Sequence, residues 1–152
     1  LLTAACDTRF THAYSNDSGC SGASLSRENK GETIADITRA FPHWFCPRYA
    51  EYAGRADALP LDQHFLLASI APRHVMVGSA VEDKWADPDS EYLACAAAGK
   101  FWELYGKKAF SEKDCPETDG VIMGQNIAYH RRPGVHFMSR TDWNRFLDFF
   151  LQ

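Results

Sequence analysis

The chain has 152 residues, 45% of them hydrophobic, and 16 Lys+Arg against 20 Asp+Glu leave a formal net charge of −4. That size and apolar share suit one packed domain, and a mildly acidic balance without a Lys/Arg run speaks against a nucleic-acid surface or a basic membrane-binding helix. No apolar stretch approaches the roughly 20 residues of a bilayer span, and ten Phe, four Trp and six Tyr exclude an unfolded tail.

Leu1-Leu2-Thr3-Ala4-Ala5 opens the chain without an initiator Met, a signal peptide or a capping residue. It reads as the middle of a helix, and the expectation is that part of a larger domain precedes it. Residues 10–14 are β-prone and lead into a Ser/Asn/Asp/Gly loop over 15–31. Residues 32–41 place Ile34, Ile37 and Phe41 at helical spacing, with Pro42 as the stop. A second amphipathic run covers 62–70 and ends at Pro72. Residues 74–78 are almost continuously apolar and read as a buried strand. A turn follows over 81–88, and 89–105 reads as a long helix. Beyond a charged linker, residues 121–123 and 127–129 flank the last strand region, and a polar loop runs over 130–141. The final helix, 142–151, sets Trp143, Phe146, Leu147 and Phe150 on one face.

Strands separated by helices predict a parallel α/β sheet with crossover connections. Chemistry in such sheets sits in the loops beyond the carboxyl ends of the strands. The loops to examine are therefore 15–31, 79–88 and 130–141. Asp17 lies just past the first strand, Asp83 past the next, and His136 past the last, with Gly134 allowing a tight turn before it. An acid behind one or two successive strands and a His behind the last is the order of an α/β-hydrolase triad. The imidazole acts as base, and a carboxylate fixes its tautomer and stabilises imidazolium as it forms.

Taken singly, Asp17 and Asp83 are equally good turn-formers, and Asp87 suits a cap for the helix after Pro88. The order of the three loops carries the reading. Gly19-Cys20-Ser21-Gly22 superficially resembles a nucleophile elbow, yet no helical pattern follows and the loop comes too late. Ser21 and Cys20 are thus poor nucleophiles, and the elbow is expected just upstream of Leu1. Five cysteines (Cys6, Cys20, Cys46, Cys95 and Cys115) show neither a CxxC pair nor zinc-type spacing. They read as small buried hydrophobes with at most one disulfide.

The run Ser18-Gly19-Cys20-Ser21-Gly22-Ala23, then Gly31-Glu32-Thr33 and Phe41-Pro42-His43-Trp44-Phe45, resembles the glucuronoyl esterases of carbohydrate esterase family 15. So do Leu59-Pro60-Leu61-Asp62-Gln63-His64, Ile70-Ala71-Pro72-Arg73 and Glu82-Asp83-Lys84-Trp85-Ala86-Asp87-Pro88. Tyr129-His130-Arg131, Gly134-Val135-His136 and Thr141-Asp142-Trp143 complete the match, which spans nearly the whole chain and fits the bacterial branch better than the fungal one.

The resemblance implies the C-terminal part of one α/β-hydrolase domain, carrying the last three strands with their helices. It implies cleavage of (4-O-methyl-)glucuronate esters between xylan and lignin alcohols, without metal or cofactor. By the same resemblance His136 is the base, and Asp17 stands where the family usually has a Glu as triad acid. Asp83 matches a second acid that some bacterial members have, while Glu32 and Trp85 match residues that contact the glucuronate ring. Asp17 is one methylene shorter than the usual Glu, so either Asp17 or Asp83 can serve His136. The family's nucleophilic Ser, with its oxyanion Arg and a Lys, is absent from these residues.

Three expectations follow. The 152 residues alone should show no esterase activity. The strand at 10–14 should form an unpaired parallel edge, leaving the isolated piece marginal or aggregation-prone. The intact protein should be a periplasmic or secreted monomer acting on glucuronoxylan–lignin esters, with no nucleic-acid or membrane partner. Two other readings stay open: another carbohydrate esterase on the same fold, such as an acetyl-xylan esterase, and a non-catalytic carbohydrate-binding remnant of a hydrolase.

Overall fold

The computed structural model describes residues Leu1–Gln152. Four strands form one sheet: β1 (His12–Asn16), β2 (His74–Ala80), β3 (Val121–Met123) and β4 (Ile127–Arg132), in the order β1-β2-β4-β3. β1 and β2 are parallel, with His12 opposite His74 and Asn16 opposite Gly78. β2 and β4 are also parallel, from Val75 opposite Ile127 to Ala80 opposite Arg132. β3 turns back antiparallel on β4 through the 124–126 turn. The expected three-strand α/β reading holds for β1, β2 and β4. Residues 121–123, expected only to flank the last strand, instead form the fourth strand and the antiparallel edge.

Six α-helices accompany the sheet: α1 (Leu2–Cys6), α2 (Ile34–Ala40), α3 (Pro47–Ala50), α4 (His64–Ala68), α5 (Pro88–Glu103) and α6 (Arg140–Phe150). Helix α5 starts where the sequence provides Asp87 as cap and Pro88 at the first helical position. The Asp87 carboxylate accepts from the Ser90 N–H at 3.3 Å. Along α5, Ala94, Cys95, Ala96, Ala98 and Gly99 are buried. These small residues present little bulk, so the helix lies close over β2 and β4. The main core forms there from Leu67, Ile70, Val75, Val77, Tyr92, Trp102, Ile127 and Tyr129. The fully buried Trp102 also donates its indole N–H to the Arg73 carbonyl at 2.9 Å. Truncation of such an aromatic to Ala costs about 3–5 kcal/mol.

On the other face of the sheet, Met76, Ala128 and Phe149 form a smaller cluster. The expected apolar face of the last helix is only partly used. Phe149 is buried and Phe146 packs on the Tyr14 ring, whereas Trp143, Leu147 and Phe150 stay exposed. Periodicity tells which side chains share a face, not which of them finds a covering partner. No cysteines are paired; Cys20 and Cys95 are buried, and Cys6, Cys46 and Cys115 are exposed. No helix is long and apolar enough to cross a membrane.

Because β1, β2 and β4 run the same way, their carboxyl ends lie side by side. The loops that leave them start at Asp17, Val81 and Pro133. Strand β1 has a single sheet partner and forms the parallel edge.

Candidate active site

Asp17 follows β1 directly, in the left-handed region at φ +46°. Asp tolerates that conformation better than most residues, and strain of this kind concentrates at functional sites. Its N–H donates to the Gly78 carbonyl at 2.8 Å, so the turn is tied to the neighbouring strand. The carboxylate is fully engaged. Oδ1 accepts from the Ala80 N–H at 2.6 Å, and Oδ2 accepts from Asn16 at 2.9 Å and from the Arg132 guanidinium at 3.1 Å.

Asp83 follows β2 in a tight turn and divides its two oxygens. Oδ1 accepts from the Ala86 N–H at 3.2 Å, and Oδ2 lies 2.7 Å from Nδ1 of His136. An ionised carboxylate only accepts, so Nδ1 carries the proton and Nε2 of the neutral ring keeps its lone pair. Nε2 has no protein partner, and the His136 side chain is 68% exposed against 7% for Asp83. The loop that presents His136 is pinned to the Asp83 turn by its backbone. The Glu82 N–H donates to the Gly134 carbonyl at 3.1 Å, and the Gly134 N–H donates to the Glu82 carboxylate at 3.0 Å. Gly134 sits at φ +97°, which a side chain would strain.

Asp17 and Asp83 thus differ in employment although both are buried. Asp83 holds the imidazole, and Asp17 holds the Ala80 N–H and a guanidinium. Burial pushes the Asp17 carboxyl up from its ordinary range, opposed by the Ala80 N–H and Arg132. The three side chains offer ligand-type atoms within 4.8 Å of one another, a spacing that suits a metal ion. The charge of Arg132 against Asp17 repels a divalent cation, so the donor set fits an acid–base pair better than a metal centre.

A cleft of about 470 Å³ opens over these groups and brings together all five residues singled out in the sequence: Asp17, Glu32, Asp83, Trp85 and His136. Glu32 and Trp85 meet because their loops pack backbone to backbone. The Glu32 N–H donates to the Trp85 carbonyl at 2.8 Å. A Cβ on the preceding Gly31 would lie 2.3 Å from that same carbonyl oxygen, so only glycine allows the approach. Burial raises the Glu32 carboxyl, with the Trp85 side chain opposing. Trp85 itself is 57% exposed. The sequence reading missed the rest of the wall, where Phe41 and Trp44 stack with ring centroids 4.1 Å apart across Pro42.

Cys20 and Ser21 do not line this cleft. The Ser21 hydroxyl is 2.7 Å from the Tyr49 hydroxyl, and burial pushes the Cys20 thiol up to about 11. Neither is activated for attack.

Two buried acids and an exposed His at the carboxyl ends of three parallel strands are the arrangement of an α/β-hydrolase. Residues 1–108 match the family model described as glucuronyl esterase, fungi. The chain belongs to the glucuronoyl esterase family. It is 45% identical over 149 residues to a carbohydrate esterase of an unknown prokaryotic organism, covering 98% of this chain and 34% of that protein. Among solved structures it superposes on a promiscuous CE15 esterase from a marine bacterial metagenome with a TM-score of 0.90 at 44% identity, covering 97% of this chain and 37% of the other. A glucuronoyl esterase from Solibacter usitatus gives 0.88 at 40% identity, with 96% and 37% covered. The chain therefore spans about a third of the length of the relatives it matches.

Proposed function

We propose that this chain forms the C-terminal third of a glucuronoyl esterase catalytic domain, supplying the base, its acid and the sugar-binding wall. The observation that carries the reading is the 2.7 Å contact between His136 Nδ1 and Asp83 in the lining of a cleft that Glu32 and Trp85 also line. A carboxylate can accept from sugar hydroxyls, and an indole presents a flat apolar face to a pyranose ring. The substrate class is a (4-O-methyl-)glucuronate ester of an alcohol, and lignin alcohols on xylan are its natural setting. Such esters lie outside the cell, so the intact protein is secreted or periplasmic.

The reaction is acyl transfer in two steps. A serine hydroxyl from the remainder of the domain attacks the uronate carbonyl carbon while Nε2 of His136 takes its proton. Asp83 stabilises the imidazolium that results and keeps the proton on Nδ1. The C–O bond to the alcohol then breaks as His136 returns the proton to the leaving oxygen. Water, deprotonated by the same Nε2, attacks the acyl-serine and releases glucuronate. In this scheme Asp17 fixes the strand end beside Asp83 and is not the partner of the imidazole.

The test uses the full-length protein with a glucuronate benzyl ester and an acetylated xylan. Hydrolysis of the first, abolished by His136→Ala and raised in KM by Glu32→Ala, supports the proposal. Equal cleavage of acetylated xylan, indifferent to Glu32→Ala, would replace it with a different carbohydrate esterase. No turnover of either ester would leave the binding-remnant reading. The 152 residues by themselves are expected to be inactive; turnover by them, lost in His136→Ala, would contradict the assignment of the nucleophile to the rest of the domain.

A further inference from the structure

Arg132 ends β4 and is nearly inaccessible, with 2% of its side chain exposed. An arginine so buried usually satisfies a specific set of acceptors. Here every one of its five N–H groups has a partner. Nε–H is shared between the two oxygens of Asp142, at 2.9 and 2.8 Å. One terminal nitrogen donates to the carbonyls of Pro133 and Val135, both at 3.1 Å. The other donates to Asp17 Oδ2 at 3.1 Å and to the carbonyl of Phe137. The guanidinium carbon also lies 4.6 Å from the centre of the Phe137 ring.

The two carbonyls of Val135 and Phe137 bracket His136. The guanidinium therefore grips the backbone immediately before and after the base, while its charge compensates the carboxylates of Asp17 and Asp142. We propose that Arg132 is the positioning residue of this site: it sets where the His136 loop stands relative to Asp83 and binds that loop to the Asp17 turn. The proposal rests on His136 acting as the base. It adds that the base is held from beneath by a rigid fork as well as from the side by Asp83. A lysine keeps the charge but offers three donors on a flexible stem, so it cannot reach both carbonyls and both acids together. A small displacement of a catalytic group is enough to lower the rate by one to two orders of magnitude.

In the full-length protein, Arg132→Lys should lower kcat by roughly 30–100-fold with KM changed by no more than about 3-fold. The low-field proton resonance of His136 Nδ1–H, which reports its hydrogen bond to Asp83, should broaden or vanish in the same variant. Should the lysine variant not fold, Arg132→Met/Asp142→Asn leaves the net charge of the buried cluster unchanged and should give the same two effects. Loss of thermal stability with kcat and the resonance intact, in either variant, would overturn the proposal and make Arg132 a brace only. The resonance is independent of the reaction. A full-length protein that cleaves no glucuronate ester but loses the resonance on Arg132 substitution would sink the esterase reading and leave the positioning role standing. A protein that retains both activity and resonance would do the reverse.

Discussion

Two arginines each grip three backbone carbonyls at opposite ends of the same sheet. Arg73 stands just before β2, and one of its terminal nitrogens reaches the carbonyls of Ala4, Asp7 and Phe10 at 2.6, 3.2 and 2.9 Å. Arg132 stands at the end of β4 and reaches those of Pro133, Val135 and Phe137. The device is the same. The surroundings differ: Arg73 is half-buried and hydrogen-bonds no carboxylate, whereas Arg132 is fully buried between Asp17 and Asp142. One ties α1 and the approach to β1 onto the sheet. The other ties the His136 loop to two acids, so a geometric change there is also an electrostatic one.

That contrast extends below the site. Tyr14 hydroxyl lies 2.8 Å from Nε2 of His130 and 3.1 Å from the Asn16 side chain, and His130 lies 3.4 Å from Asp142. A Cβ at Gly78 would sit 2.1 Å from the Tyr14 hydroxyl, so that glycine makes room for the network to cross β2. Glu91 is buried behind the Asp17 loop and accepts from Ser79 at 2.5 Å and from the Gly19 N–H at 2.9 Å. At the other end, His12 and His74 stack 4.2 Å apart without an acid between them. The site end of the sheet gathers buried titratable groups, and the opposite end is held mainly by packing and backbone bonds.

The sharpest way to break this comparison is to separate the two acids of the site end. In the full-length protein Asp83→Asn should reduce kcat for the proposed ester hydrolysis by about 10³–10⁴-fold, because an amide favours the wrong imidazole tautomer. Asp17→Asn should cost about 10–100-fold, through loss of the Arg132 contact and loop placement. Steady-state kinetics of the two variants decides. A larger loss for Asp17 would make it the working triad acid and Asp83 a turn residue.

The pH dependence of stability should come from the same end. Burial pushes the Glu91 carboxyl up to about 8 from an ordinary 4.5, so the native state binds the extra proton between those values. Stability from this group is fully present below pH 4.5 and is lost as pH rises through 8, by up to about 5 kcal/mol. Glu91→Gln should flatten that loss and melt above the wild type at pH 9. Parallel stability curves for the two proteins would refute it. His130 acts with the opposite sign. Burial lowers it to about 4 despite Asp142, so its contribution is intact above 6.5 and is lost as pH falls toward 4, by up to about 3 kcal/mol. Denaturant melts between pH 4 and 7 should show this slope, and His130→Phe should remove it.

What the sequence disclosed divides along the same line. Asp17, Asp83 and His136 were legible because each stands just past a strand, and strand order plus parallel topology forces those positions together. Glu32 and Trp85 were legible only through family resemblance, since neither has a periodic signal. Arg132 was silent. A charged residue at a strand end reads as a solvated one, and only the fold shows that its neighbours are carbonyls and acids. The Phe41–Trp44 stack was likewise hidden, because Pro42 breaks the helical pattern between them. β3 was too short to stand out, and its pairing depends on the turn at 124–126.

The smallest expected effect tests the comparison most directly, because it leaves the site alone. Arg73→Lys removes the terminal guanidinium nitrogen that reaches three carbonyls at the end of the sheet remote from His136. Lysine can reach one or two of them, so about 1 kcal/mol of stability should be lost, the ordinary worth of one or two hydrogen bonds. No carboxylate there loses a hydrogen-bonded cation, so no buried charge penalty is added. The melting temperature of the full-length protein should fall by a few degrees. Its kcat and KM should stay at wild-type values, and the His136 Nδ1–H resonance should be unmoved. If Arg73→Lys instead lowered kcat as Arg132→Lys is expected to, the two ends of the sheet would be mechanically coupled. The effect of Arg132 would then reflect general loosening of the strands, and burial between two acids would not be what distinguishes it.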